Sequence, residues 1–378
     1  MRTPKEALDF HEKLRGKLEV ISKVSLKNKK NLTLAYTPGV AEPVREIAKN
    51  RKDVYKYTIK GNSVAVITDG SAVLGLGNVG PEAALPVMEG KAAIFKEFAG
   101  IDAFPICLAT QNTKEIIRTV KILSPTFGAI NLEDISAPRC FEIEEALQNI
   151  GIPVFHDDQH GTAIVVLAAL QNALKVAKKD ISKVRVVING AGAAGTAIAK
   201  LLKSFKEIIV CDSKGVINKK RTDLDKHKKA LCKMTNPQSV NGSFRDALVG
   251  ADVFIGVSRP NILTGDMIKT MNKKPIIFAM ANPVPEIMPD KAKKAGAFIV
   301  ATGRSDFPNQ VNNALAFPGI FRGALDARIT HITTDMKISA AKALAGLVKI
   351  PTRNKILPQL KDPRIVPTIA RAIKRANK

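Results

Sequence analysis

Residues 184–195 read Val-Arg-Val-Val-Ile-Asn-Gly-Ala-Gly-Ala-Ala-Gly, an apolar run that breaks into G-x-G-x-x-G and then into helix-forming sequence. A glycine motif alone says little, but this one has a strand before it, a helix after it, and Asp212 closing the next apolar run about 20 residues on, the context of a dinucleotide site. Gly190 permits the tight turn, Gly192 lets the backbone approach a pyrophosphate, and Gly195 lets the helix pack closely on the strand. Ala191, Ala193 and Ala194 complete the loop. The pyrophosphate is expected at the helix amino end, where N–H groups are unpaired, and Asp212 is the expected acceptor for the ribose hydroxyls.

Around this motif the patterning alternates. Helix is expected over 162–178, strand over 184–189, helix over 193–204 and strand over 208–211. Helices over 244–249 and 264–271 then alternate with strands over 253–257 and 276–279. Such alternation indicates a parallel sheet wrapped by helices. The first half reads as mixed α/β, with a helix over 4–18 and strands over 63–68, 103–108 and 127–132. The expectation is therefore an α/β catalytic domain over 1–160 followed by a Rossmann-type doubly wound domain with C-terminal helices over 161–378.

Two apolar runs end in paired acids. One closes on Glu133-Asp134, and the other, Val154-Phe155-His156, on Asp157-Asp158 ahead of Gly161-Thr162. Neighbouring side chains on a continuing strand point to opposite faces, so each pair serves one site only if its strand stops and turns there. Two such endings suggest carboxylates converging on a cation, and all-oxygen ligation suits magnesium or manganese. The plainer alternative is that Asp157 and Asp158 simply cap a helix opening near residue 162.

Charge points elsewhere and has to be weighed. A net charge of +25 with pI near 9.9 makes nucleic acid a fair suspicion. The basic residues are spread along the whole chain, however, and with no Trp and few Tyr there is no basic run interleaved with aromatics to stack bases. A solvated lysine-rich surface is the preferred account, with no specific nucleic-acid partner. No apolar run reaches the roughly 18 residues of a membrane helix. The amino terminus has no signal-peptide core, and the four cysteines form no C-x-x-C pair, so a cytoplasmic protein with reduced thiols is expected.

Three further segments complete a pattern: Tyr36 before a turn in Leu-Ala-Tyr-Thr-Pro-Gly-Val, the glycine-rich stretch 68–78, and Lys91 among apolar residues after Gly90. Alone, Tyr36 reads as a core tyrosine and Lys91 as a snorkelling helix residue. With both acid pairs, Ala281-Asn282-Pro283 and the segment 305–313, they occur in the order seen in the malic enzymes. Over nearly its whole length the chain closely resembles the short bacterial and archaeal form without a fused acyltransferase domain.

The resemblance implies oxidative decarboxylation of malate to pyruvate and CO2 with reduction of NAD, NADP being possible, and a divalent metal, Mg or Mn. It assigns Glu133, Asp134 and Asp158 as metal ligands, Lys91 as general base and Tyr36 as general acid. Asn282 and Asn313 would hold substrate and nicotinamide, and a homodimer or higher homo-oligomer is expected. Asp157 is better suited to orienting Lys91 or a ligand than to binding metal, because adjacent side chains diverge. One departure stands out: Ser71-Ala72 replace the acidic–basic pair of the animal enzymes, leaving no arginine there for the substrate carboxylate.

As a base, Lys91 must be neutral. Metal charge and desolvation push its pKa down while the carboxylates push it up, and sequence leaves that balance open. Asp212 favours NAD over NADP, with Lys214, Lys219, Lys220 and Arg221 opposing it. Malolactic conversion to lactate, a non-catalytic dinucleotide sensor and a nucleic-acid-binding protein are the rival readings.

Overall fold

Parallel pairing organises the chain in two sheets. The computed structural model describes residues 4–377. β1 (Ser63–Thr68), β2 (Asp102–Cys107), β3 (Ala129–Leu132) and β4 (Val154–His156) form the first, in the order β2-β1-β3-β4 with every pairing parallel. β1 is buried throughout. A strand covered on both faces has no reason to alternate, which is why its sequence is nearly all apolar.

The second sheet comprises β5 (Arg185–Asn189), β6 (Glu207–Asp212), β7 (Gly215–Val216), β8 (Val253–Gly256), β9 (Ile276–Ala279) and β10 (Ile299–Thr302). Its order is β10-β9-β8-β5-β6-β7, and only β7, on the edge, is antiparallel. Strand order reverses between β5 and β8, the place where open α/β sheets hold their ligands. The expected α/β class and Rossmann-type second sheet are present.

The helix Asp157–Ala177 joins the two sheets. Fifteen of its residues are buried, from Asp157 to Ala177, because it packs against both the Ala193–Leu201 and Thr334–Gly346 helices. An all-round apolar helix of this kind is a core element. By length and composition it also passes as a membrane span, yet 72% of its apolar window is buried inside the protein. It starts at residue 157, five residues before the expected start, so Asp157 and Asp158 lie in its first turn and the cap residue is His156. Acids there are favoured by the helix dipole without being caps.

Other boundaries differ by a few residues. The expected 4–18 helix is Pro4–Leu14, closed by Arg15 and Gly16 at φ 53° and 106°. The helices Phe317–Asp326, Thr334–Gly346 and Ile365–Ala376 pack together at the carboxyl end. One continuous apolar core runs from Val64 and Phe155 of the first sheet to Ile188 and Phe278 of the second. By contrast, the helices Pro4–Leu14, Lys29–Ala35, Ala41–Lys49 and Val54–Tyr57 contain no buried residue.

Candidate active site

Register brings the acids together. β3 and β4 pair Leu132 with His156, so the next residues, Glu133 and Asp157, leave neighbouring strands side by side. Asp134 then takes a positive φ of 52°, an uncommon conformation for a residue with a side chain. It turns the chain so that Glu133 and Asp134 serve one site instead of opposite faces. One oxygen each from Glu133, Asp134 and Asp158 lie within 4.8 Å of one another, and the Asp134 N–H donates to Asp158 Oδ2 at 2.7 Å. Burial, with the Asp157 charge adding to it, pushes the Asp158 carboxyl up to about 6 against the pull of Lys91. Burial likewise raises Glu133. Three like-charged oxygens gathered at one spot, with Glu133 and Asp134 buried, fit a hard divalent cation, and this donor set suits magnesium or manganese.

Lys91 comes from the helix Pro81–Ala99 and is 7% exposed. Its Nζ lies 2.6 Å from Asp157 Oδ2 and 2.7 Å from Glu133 Oε1, and 4.3 Å from the centre of the Phe317 ring. Burial alone would lower its pKa, but the Asp157 and Glu133 charges outweigh burial and raise it. The balance left open by sequence therefore falls on the side of an ammonium here. Asp157 is fully buried and spends one oxygen on Lys91.

Glu144, which sequence reading passed over, holds this helix start in place. Its carboxylate accepts from the His156 N–H at 3.0 Å, from Gln159 Nε2 at 3.2 Å and from His160 Nε2 at 2.8 Å. Burial pushes the Glu144 carboxyl up, but His160, with His156 and Lys337 nearby, outweighs it and holds the group down at about 2. In sequence, Glu144 is one of three glutamates within 142–145, and only its position on the buried face of the Arg139–Leu147 helix sets it apart.

Two cavities meet at Ala137, Gly192 and Ser258. The first, about 730 Å3, is lined by Lys91, Glu133, Asp134 and Asp158 together with Asn282, Asn313, Gly192, Ala193 and Ala194. The second, about 790 Å3, runs over Gly190, Ala191 and Gly192 to Asp212, Lys214 and Lys228. The glycines divide their roles as the motif requires. Gly190 has φ 123°, a Cβ at Gly195 would lie 1.7 Å from Gly190 O, and a Cβ at Gly192 would meet nothing within 4 Å.

Comparison with known proteins is decisive. Residues 159–377 match the description "Malic enzyme, NAD binding domain" and residues 15–116 "Malic enzyme, N-terminal domain". The chain belongs to the malic enzyme family. Among its relatives is the bifunctional malic/malolactic enzyme of Bacillus subtilis, 57% identical over 100% of this chain and 93% of that one. The NAD-dependent malic enzyme of Geobacillus stearothermophilus is 52% identical, covering 95% of this chain and 76% of that one. The crystal structure of NAD-dependent malic enzyme from Thermotoga maritima superposes with a TM-score of 0.94 at 51% identity, covering 97% and 98% of the two chains.

Two expectations, for Asp212 and for Tyr36, meet a different arrangement, and the question of the missing arginine stays open. Asp212 is not an open acceptor: Arg221 Nη1 and Nη2 lie 2.7 and 3.1 Å from its two oxygens, and Lys228 Nζ lies 2.8 Å from Oδ2. The missing arginine has no substitute among the described residues lining the 730 Å3 cavity, where Lys91 is the one cationic side chain; Arg139 is committed to Asp69 Oδ2 at 2.7 Å and Ser136 Oγ at 3.2 Å. Tyr36, at the end of the Lys29–Ala35 helix, is 66% exposed and lines neither cavity.

Proposed function

We propose that this chain oxidises (S)-malate at C2 and decarboxylates it to pyruvate and CO2, with NAD as hydride acceptor and NADP admitted. The observation that carries the reading is Lys91, held between Asp157 and Glu133 where the carboxylate cluster and the dinucleotide turn open into one cleft. Glu133, Asp134 and Asp158 would hold a magnesium or manganese ion. That ion would supply Lewis acidity toward the C2 oxygen and the neighbouring carboxylate.

Lys91 accepts the C2 hydroxyl proton as general base. It must first be neutral, and Glu133 links the two demands, because it belongs both to the ion pair and to the metal cluster. A Glu133 carboxylate that held a cation would loosen its grip on Lys91, and Asp157 is placed to orient the amine and take up its proton. Asn282 and Asn313 are assigned to substrate and nicotinamide, since both line the cleft and offer amides that donate and accept.

Tyr36 remains the general acid that protonates C3, but acting in the cleft of a second copy. The amino-terminal helices Pro4–Leu14, Lys29–Ala35 and Ala41–Lys49 bury nothing, and Leu8, Phe10, Val20, Ile21, Leu34 and Val44 of this segment stand exposed, a concentration of exposed apolar residues of the kind found at protein interfaces. Mixing Tyr36→Phe with Lys91→Ala, each inactive alone, should restore part of the activity through hybrid dimers. No recovery after exchange of subunits would place Tyr36 outside the reaction.

Malolactic conversion is the second reading, favoured by the name of the Bacillus subtilis relative. Malate with NAD and manganese separates the two. Accumulation of NADH with pyruvate supports oxidation, and lactate without net NADH supports the alternative. The basic surface is assigned to composition, with no specific nucleic-acid partner.

A further inference from the structure

We propose that Arg221 and Lys228 set the dinucleotide choice of this site, cancelling the Asp212 carboxylate so that a 2′-phosphate on the adenosine ribose is accepted. The proposal rests on the malate-oxidising reading only for the use to which the dinucleotide is put.

A carboxylate at the end of the second Rossmann strand discriminates by two means: it accepts from the ribose hydroxyls, and its charge repels a phosphate there. Asp212 is placed for both and free for neither. Oδ1 accepts from Arg221 Nη1 at 2.7 Å and from the Lys214 N–H at 2.9 Å, while Oδ2 accepts from Arg221 Nη2 at 3.1 Å and from Lys228 Nζ at 2.8 Å. Its side chain is 8% exposed.

The surrounding charges leave a positive balance. Asp223 pairs with Arg221 Nη2 at 2.7 Å and Lys214 Nζ at 3.0 Å, and Asp225, the cap of the Lys226–Cys232 helix, also lines the groove, so three carboxylates face the four cations Arg221, Lys214, Lys228 and Arg259. Lys214 and Lys228 line the groove, each with ammonium protons beyond those already used. His227 lines the same groove, and its Nε2 is buried with no partner, a polar atom a bound ligand would satisfy. Arg221, gripped by both acids through its planar fork, acts as the neutralising residue. Lys228 and Lys214 are the groups that would touch the phosphate.

The test is equilibrium binding of 2′,5′-ADP and 5′-AMP to the full chain, wild type and three variants. Wild type should bind 2′,5′-ADP at least as tightly as 5′-AMP. Arg221→Gln uncovers the Asp212 charge and should weaken 2′,5′-ADP by on the order of tenfold, with 5′-AMP unchanged or tighter. Lys228→Met should shift in the same direction. Asp212→Asn should do the reverse, tightening 2′,5′-ADP. Equal shifts for both probes, a wild type that binds 5′-AMP more than tenfold tighter, or inorganic phosphate competing as well as 2′,5′-ADP would each overturn the assignment. Malate turnover read separately keeps the two claims apart: inactivity with both dinucleotides defeats the reaction, not the binding rule.

Discussion

The Cα of Gly161 faces the Asp157 carboxylate so closely that a Cβ placed there would lie 1.7 Å from Oδ1. One helical turn separates the two residues, so the glycine gives the buried acid the space it needs to reach Lys91. Gly161→Ala should therefore displace Asp157 and lower turnover by at least tenfold, with stability falling by about 1–3 kcal/mol, the usual result of overpacking. Near-wild-type turnover in that variant would mean that Asp157 does not position Lys91.

Glu144 gives a pH-dependent prediction. Its carboxyl sits at about 2 against an ordinary value of 4.5, so its contribution to stability is present above pH 4.5 and is lost as pH falls toward 2. The shift corresponds to roughly 3 kcal/mol. Glu144→Gln should flatten stability over that acid range. It should also raise the manganese needed for half-maximal activity, because the helix start carrying Asp158 loses its anchor. An unchanged manganese requirement would reduce Glu144 to a purely structural role.

Asp158 should show opposite effects on metal use and on folding. If Asp158 holds the cation as proposed, Asp158→Asn would remove an anionic donor at constant volume and should raise the manganese requirement steeply. The raised carboxyl at about 6 disfavours the metal-free fold as pH rises from about 4 through 6. The same substitution should therefore raise the melting temperature at pH 7 in the presence of a chelator. Asp157→Asn should affect metal affinity less, and a reversed order in manganese titrations would mean the pair is assigned backwards.

Much of this was legible in the chain because strand ends and turns are marked locally. Apolar runs closing on Glu133-Asp134, on Asp157-Asp158 and on the Gly190 turn located the sheets and their ligand-binding ends. The start of the 157–177 helix was not legible. Asp157, Asp158, Gln159 and His160 carry no apolar periodicity, so the helix is expected only from residue 162, whereas the contacts of Asp157 with Lys91 and of Gln159 and His160 with Glu144 are made from its first turn. Sequence named Arg221 among four basic residues opposing Asp212, but not which of them reaches the carboxylate, nor that Lys228 joins it. Arg221 lies beyond β7, and only the folded loop returns it to the end of β6. Tyr36 has a motif, but its side chain is largely exposed and lines neither cavity, so nothing local reveals its place.

Lys91 is the residue on which the proposed chemistry depends, and the pyrophosphate turn is built by a different part of the chain. The most direct test measures NADH formation from (S)-malate with manganese, alongside equilibrium NADH binding, in wild type and Lys91→Ala. Loss of a positioned base should lower turnover by about a hundred- to ten-thousand-fold while NADH affinity stays nearly constant. A variant retaining more than half the wild-type turnover would contradict the assignment of Lys91 as the base.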